Sequence, residues 1–321
     1  MHTADISAWA ARRRYTAGQF SAENLSSLKR DATVAVVIPT KECAATVGTV
    51  IRKAVAPLAD AWLVDEIVVI DADSADGTAS VAARAGARVL QQDQVLAEYG
   101  PALGKGDALW RAVHECGAEI VCFLDGDTLD PVPTHLLGLI GPLISDSSIQ
   151  LVKGAYDRPL RTGGLELEGE GGRVTELMAR PLLNLYEPLL AGFAQPLAGE
   201  FAARRSLLEE IPFPVGYGIE IAVLIDALHA HGLDALCECH LGTRRQVHQP
   251  LRALGEMSYA VLAAVKRRVG QGADGLSGHY VRPWDKFTVA TIPIDERPPL
   301  AAIGDRKSPS SSPGGMGTAD T

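Results

Sequence analysis

From Thr33 the chain alternates between short, nearly continuous apolar runs and longer amphipathic stretches. TVAVVIP is a β-branched run that closes on Pro39, and TVGTVIRKAVAPL after it returns apolar residues at helical spacing, a first β-α step. EIVVID, Glu66 to Asp71, repeats the pattern, with Ser74 or Asp76 placed to cap the next helix and Gly86 to end it. ARVL reads as a third strand. A helix beginning near Lys105 carries Leu109, Trp110 and Val113, and AEIVCFLDGD supplies a further strand. Runs this uniformly apolar, alternating with helices, predict an α/β fold with a mostly parallel sheet covered on both faces. Ligands of open sheets of this kind sit beyond the carboxyl ends of the strands. Three such ends are polar here: Thr40 to Glu42, Asp71 to Ser74 and Asp125 to Asp127.

The second half opens on IQLVKGAY and the Gly- and Glu-rich RTGGLELEGEGG, whose length predicts a mobile functional loop. GRVTELMARPLLNLYEPLL has a strong helical period, and FAARRSLLEEI and GIEIAVLIDALHAHG read as two more helices. ALCECHLGTRRQVHQP reads as a strand running into a polar loop. Ahead of all this, a short helix around Ser7 to Tyr15 is expected to dock through Trp9. The pattern divides the chain into an N-terminal extension (1–32), a first half (33–153), a second half (154–300), which the family resemblance given below makes nucleotide-sugar-binding and acceptor-binding respectively, and a Ser/Pro/Gly-rich disordered tail (301–321).

Composition narrows the classes. Lys+Arg 30 against Asp+Glu 39 leaves a net charge of −9, which argues against nucleic acid as a partner. No run approaches the roughly 18 apolar residues of a membrane span. Five cysteines without a signal peptide predict a reducing cytoplasm rather than a disulfide framework. Cys237, Cys239 and His240 have ligand-like spacing but no second ligand pair, so core packing is the expectation. Trp110 and Trp284 are likewise read as packing residues.

Asp125-Gly126-Asp127, at the end of IVCFL, is the sharpest chemical signal. Two carboxylates separated by a small residue suit Mg²⁺ or Mn²⁺ bridging a diphosphate; the same tripeptide is also good turn chemistry. Gly100 to Gly106 is not a Walker A loop, because Gly106 stands where Ser or Thr is needed. Gly172-Arg173-Val174-Thr175 opens a helix straight after a glycine-rich loop, a combination of N–H groups, dipole, guanidinium and hydroxyl that suits an anion. Arg173, Arg244 and Lys153 are candidates for positive charge toward such an anion, which the resemblance given below makes a dianionic acceptor. Glu176 and Arg180 also fit a surface i, i+4 pair. Glu200 and Glu220 are carboxylates among apolar residues near the presumed rim, and buried carboxylates require partners.

The ordered set VAVVIPTKECAATVG, EIVVIDADSADGT, GKGDALW, VCFLDGDTLDP, LVKGAYDRPL, GGRVTELMARPLL, QPLAGEFAARR and GYGIEIAVLID resembles the glucosyl-3-phosphoglycerate synthases, retaining GT-A glycosyltransferases of family 81. The mannosyl-3-phosphoglycerate synthases share the pattern. The likeness runs from about Val34 to Leu254, and GGRVTELMARPLL is much more specific than the aspartate pair. The resemblance implies a metal-dependent enzyme with a Rossmann-like nucleotide-sugar domain and a helical acceptor-binding part. It would transfer glucose from UDP-glucose, or alternatively mannose from GDP-mannose, to the 2-hydroxyl of 3-phosphoglycerate. It further implies a cytoplasmic homodimer.

Residue by residue, the resemblance implies donor contacts at Pro39, Thr40, Lys41, Glu42, Ser74, Lys105, Asp125, Gly126 and Asp127. Asp127 would take the metal directly, Mg²⁺ or Mn²⁺, and Glu220 would stand beside the transferred sugar. Acceptor contacts fall on Gly172, Arg173, Val174, Thr175, Arg244 and His248. Two positions depart from the family. Pro39-Thr40-Lys41-Glu42-Cys43 lacks the usual acidic pair, and Gln246 stands where relatives carry a histidine metal ligand, which leaves His248 or the Gln246 position to complete the metal site.

Overall fold

In the computed structural model the chain is described over residues 2–157, 160–162, 165–167, 172–243, 251–271, 275–282 and 287–303. Its centre is an eight-stranded sheet. From one edge the strands run Arg14–Thr16, Leu236–Thr243, Leu151–Asp157, Phe201–Arg204, Ile120–Phe123, Val34–Thr40, Glu66–Asp71 and Arg88–Gln91. Every neighbouring pair is parallel except the two made by Phe201–Arg204, which is antiparallel to both of its neighbours.

Period-2 alternation sorts the strand residues into two cores. Val37, Val68, Phe123, Leu151 and Phe201 face one side, packed against helices Lys105–Glu115, Ile219–His231 and Leu251–Lys266. Val36, Ile38, Val69, Cys122 and Val152 face the other, against the helical run from Val47 to Asp60 and helix Pro133–Ser145. Covering both faces explains why these strands read as unbroken apolar runs. Cys237 and Cys239 are fully buried in the second core, as their alternation predicts, and all five cysteines are free thiols. Trp110 is fully buried too, whereas Trp284 lies outside the described residues.

Four segments differ from the expectation. The N-terminal helix is His2–Arg13, and Tyr15 already belongs to the edge strand Arg14–Thr16. Trp9 does dock: its indole N–H donates to Leu236 O at 2.8 Å and its ring lies 4.6 Å from that of Phe193. FAARRSLLEEI is not one helix, because Phe201–Arg204 enters the sheet before helix Arg205–Glu210 begins. Its first residues therefore lie at the carboxyl ends of its neighbours, which brings Gly199 and Glu200 to the ligand side. Within the segment expected to be a mobile loop, Leu160–Thr162 pairs antiparallel with Leu165–Leu167. At the C-terminus, Leu300–Ala302 forms a turn with Leu300 buried; the rest of the expected tail, 304–321, lies outside the described residues.

Candidate active site

The three polar strand ends meet in one crevice, stitched together by side chains. Asp71, fully buried, accepts from the hydroxyls of Thr40 at 2.9 Å and Ser74 at 2.7 Å, and from the Ser74 N–H at 3.0 Å. Ser74 Oγ in turn accepts from Glu42 N–H at 2.8 Å, and the Glu42 carboxylate accepts from Ala75 N–H at 2.8 Å. Asp76 accepts from Ala44 N–H, and hydrogen bonds from the Thr78 side chain and that amide hold its carboxyl below the usual range. Glu42 and Asp73 both adopt φ 53°. Left-handed backbone at non-glycine residues is strained and clusters where the surroundings enforce it. Thr46 Oγ1 closes the circuit by donating to Gly126 O at 2.7 Å.

Asp125, Gly126 and Asp127 leave the sheet at the end of Ile120–Phe123. A Cβ on Gly126 would lie 2.8 Å from Thr40 Cγ2 and 3.2 Å from Pro39 O, so the small residue between the acids lets this turn nest on the first strand end. Asp127 is exposed and Asp125 half-buried. Their oxygen donors suit a hard divalent cation. Among the described residues no group of three or more His, Cys, Asp and Glu can hold a metal, and the Gln246 and His248 positions lie outside them.

Beside this turn, Lys105 Nζ lies 3.0 Å from Asp125 Oδ1 and 2.9 Å from Glu220 Oε1. Burial pulls the ammonium toward its neutral form, but the two carboxylates outweigh it and raise its pKa above the ordinary lysine value. Two helix starts create this cluster: Lys105 begins Lys105–Glu115 and Glu220 is the second residue of Ile219–His231. Gly106 permits their approach, since a Cβ there would fall 1.8 Å from Pro214 O. A buried network holds the same helix in place: Arg111 and Arg297 both bind Asp107, Arg297 through bonds of 3.0 and 2.6 Å.

Glu200, also buried, accepts from Tyr156 OH and, at 3.3 Å, from Thr128 Oγ1. Lys153 is not available to an acceptor anion. It is fully buried, its Nζ donating to Ala198 O at 2.7 Å and standing 5.0 Å from the centre of the Phe201 ring. Burial brings its pKa down to about 7, against the attraction of Glu220.

Arg173 and Val174, expected on the acceptor side, start a helical run that passes through a π turn, Thr175–Ala179, into helix Arg180–Tyr186. Such turns recur at functional sites. Gly172 takes φ 72°, Arg173 is half-buried, and Val174 and Thr175 are buried. Glu176 and Arg180 form the i, i+4 pair at 2.7 Å, and Arg180 also donates to Ala194 O at 2.9 Å. Arg244, Gln246 and His248 lie outside the described residues. Sequence reasoning missed the bonding roles of Asp71 and Thr46, for the first of which a carboxylate closing the strand VVID was the available signal; Asp76, expected as a candidate cap, accepts from Thr78 N–H at 3.0 Å at the start of helix Thr78–Arg84.

This crevice, with an Asp-X-Asp turn and a charged lysine at the carboxyl ends of a mostly parallel sheet, defines a GT-A type glycosyltransferase. Residues 35–164 match the family model described as Glycosyl transferase family 2. A curated relative from Mycolicibacterium smegmatis named glucosyl-3-phosphoglycerate synthase is 38% identical over 301 residues, 93% of this chain and 99% of the relative. Two crystal structures superpose closely. The mannosyl-3-phosphoglycerate synthase of Rubrobacter xylanophilus has a TM-score of 0.82 at 41% identity, covering 92% of this chain and 98% of that one. A glucosyl-3-phosphoglycerate synthase of Mycobacterium tuberculosis, in complex with Mn²⁺, UDP-glucose and phosphoglyceric acid, has a TM-score of 0.80 at 40% identity, covering 89% and 96%. The chain belongs to the glucosyl-3-phosphoglycerate synthase family.

Proposed function

We propose that this protein transfers glucose from UDP-glucose to the 2-hydroxyl of 3-phosphoglycerate with retention at the anomeric carbon. The observation that carries the reading is the Lys105 ammonium, 3.0 Å from Asp125 and 2.9 Å from Glu220, beside the Asp125–Asp127 turn. A charged lysine there stabilises negative charge that grows on a departing diphosphate. A divalent cation, Mg²⁺ or Mn²⁺, held by Asp127 would supply further neutralisation of that leaving group.

The remaining steps fall to the chain's own residues. Pro39, Thr40, Lys41, Glu42 and Ser74 line the nucleotide side, in loops fixed through Asp71. Gly172, Arg173, Val174 and Thr175 take the acceptor's anionic groups, together with Arg244 and His248. Glu220 binds sugar hydroxyls while holding Lys105. The bond from C1 to the β-phosphate oxygen breaks and the acceptor's 2-oxygen bonds C1 on the same face. The hydroxyl proton passes to the departing diphosphate. Among the described residues no helix is long and apolar enough to cross a membrane. Five free thiols support a cytoplasmic location, and a homodimer is part of the same reading.

The likeness to a mannosyl-3-phosphoglycerate synthase favours GDP-mannose as the second donor candidate. One panel separates them: 3-phosphoglycerate with UDP-glucose, GDP-glucose or GDP-mannose, each with Mg²⁺ or EDTA. Metal-dependent product with UDP-glucose is the expected result. Product only with a GDP sugar would overturn the donor assignment, and no product with any donor would overturn the reaction.

A further inference from the structure

Segment 194–199 joins the two half-sites. At one end, a Cβ on Gly172 would lie 3.8 Å from Gln195 Oε1 and 3.8 Å from Thr175 Oγ1. Gln195 Oε1 is itself buried, without a hydrogen-bond partner among the described residues. At the other end the backbone presses on the donor cluster: a Cβ on Gly199 would lie 2.5 Å from Lys105 Nζ and 2.8 Å from Asp125 Oδ1. A small shift of this segment therefore moves the acceptor side against the donor side.

Two buried charges hold it from beneath. Glu238 Oε1 accepts from Ala194 N–H at 2.6 Å and Gln195 N–H at 3.3 Å, while Lys153 Nζ donates to Ala198 O at 2.7 Å. The two are direct partners in the sheet register, Glu238 opposite Lys153, and Lys153 is opposite Phe201, the second residue after the segment. Arg14, from the edge strand, backs Glu238 at 3.2 Å. Burying an amine and a carboxyl costs desolvation energy, which lowers the Lys153 pKa to about 7 and raises that of Glu238, and apolar pairs of similar volume often pack as well. Their retained feature is that each bonds the backbone of the same segment.

We propose that Glu238 and Lys153 are positioning residues that clamp segment 194–198 at both ends and so set the alignment of donor and acceptor. The inference rests on the transfer reaction proposed above. Misplacement of reacting groups by about an ångström costs on the order of 100-fold in rate. Lys153→Met and Glu238→Ala are therefore expected to lower kcat for transfer roughly 10- to 100-fold, while UDP affinity by calorimetry stays within about threefold. Glu238→Gln, whose amide oxygen still accepts both N–H groups, is expected to recover most of kcat.

The clamp is overturned if folded Lys153→Met or Glu238→Ala transfers at the wild-type rate. It is equally overturned if UDP affinity falls in step with kcat, or if Glu238→Gln is as slow as Glu238→Ala. Should Lys153→Met not fold, the Glu238 pair decides alone, and the reverse holds for Glu238→Ala. Wild-type transfer is measured in the same series: its absence overturns the reaction itself, whereas normal wild-type transfer with undiminished variants overturns only the clamp.

Discussion

Lys105 keeps its charge because Asp125 and Glu220 flank it, and the site's logic rests on that placement. Asp127, exposed at the same turn, is the residue whose loss should remove the metal without disturbing the sheet. Asp127→Ala is expected to stay folded and to lose at least about 100-fold in metal-dependent kcat, the scale of removing one electrostatic stabiliser. A melting curve with a Mn²⁺ titration of activity checks it, and unchanged metal dependence would remove the assignment. Arg173, half-buried at the start of the helical run that follows Gly172, is expected to act on the other substrate. Arg173→Ala should raise the 3-phosphoglycerate KM roughly 10-fold or more, as expected for a lost charge-assisted contact, and leave the UDP-glucose KM nearly constant. An effect confined to the donor would contradict it. Asp125-Gly126-Asp127 and Arg173 were legible in the sequence because their chemistry is local. The pairing of Lys105 with Glu220 was not, since it joins the starts of two helices far apart in the chain.

At the scale of elements, the strands Val34–Thr40, Glu66–Asp71, Ile120–Phe123 and Leu151–Asp157 were legible because burial on both faces writes them as largely apolar runs, and the edge strand Arg88–Gln91 followed from the β-α alternation. Phe201–Arg204 was hidden. Four residues hold too little pattern, and FAARRSLLEEI fits a helical period as well as a strand followed by a short helix. Arg14–Thr16 is shorter still and is defined only by its partner Leu236–Thr243. Glycine positions carried information that spacing did not decode: Gly106 serves close backbone approach to Pro214. Gly106→Ala must push helix Lys105–Glu115 away from that carbonyl, an overpacking cost of about 1–3 kcal/mol. Urea denaturation is expected to show that loss together with a raised UDP-glucose KM; full stability with normal kinetics would show that this contact does not place Lys105.

For the whole molecule, the row of ionisable groups Arg14, Glu238 and Lys153 crosses the first three strands from one edge of the sheet. That row makes a pH prediction. Burial lowers the Lys153 pKa to about 7 from 10.5, with Glu220, Asp125 and Glu238 pulling it up and Lys105 pushing it down. Between those values the unfolded chain binds more protons at this site than the folded one, so its contribution to stability rises with pH. Below about pH 7 both states are protonated and the burial cost is fully present. The free-energy gap between wild type and Lys153→Met should therefore shift in favour of wild type by up to about 1.4 kcal/mol per pH unit from pH 7.5 to 9. Denaturation curves at three pH values read it, and a flat gap would contradict the burial account.

The most direct test of transfer in this crevice follows a single reaction: UDP-glucose labelled at C1, 3-phosphoglycerate and Mn²⁺, with the product's anomeric centre read by NMR. The account predicts glucosyl-3-phosphoglycerate with the α configuration of the donor preserved and no signal when EDTA is present. A β-linked product, or label released only as free glucose, would contradict it.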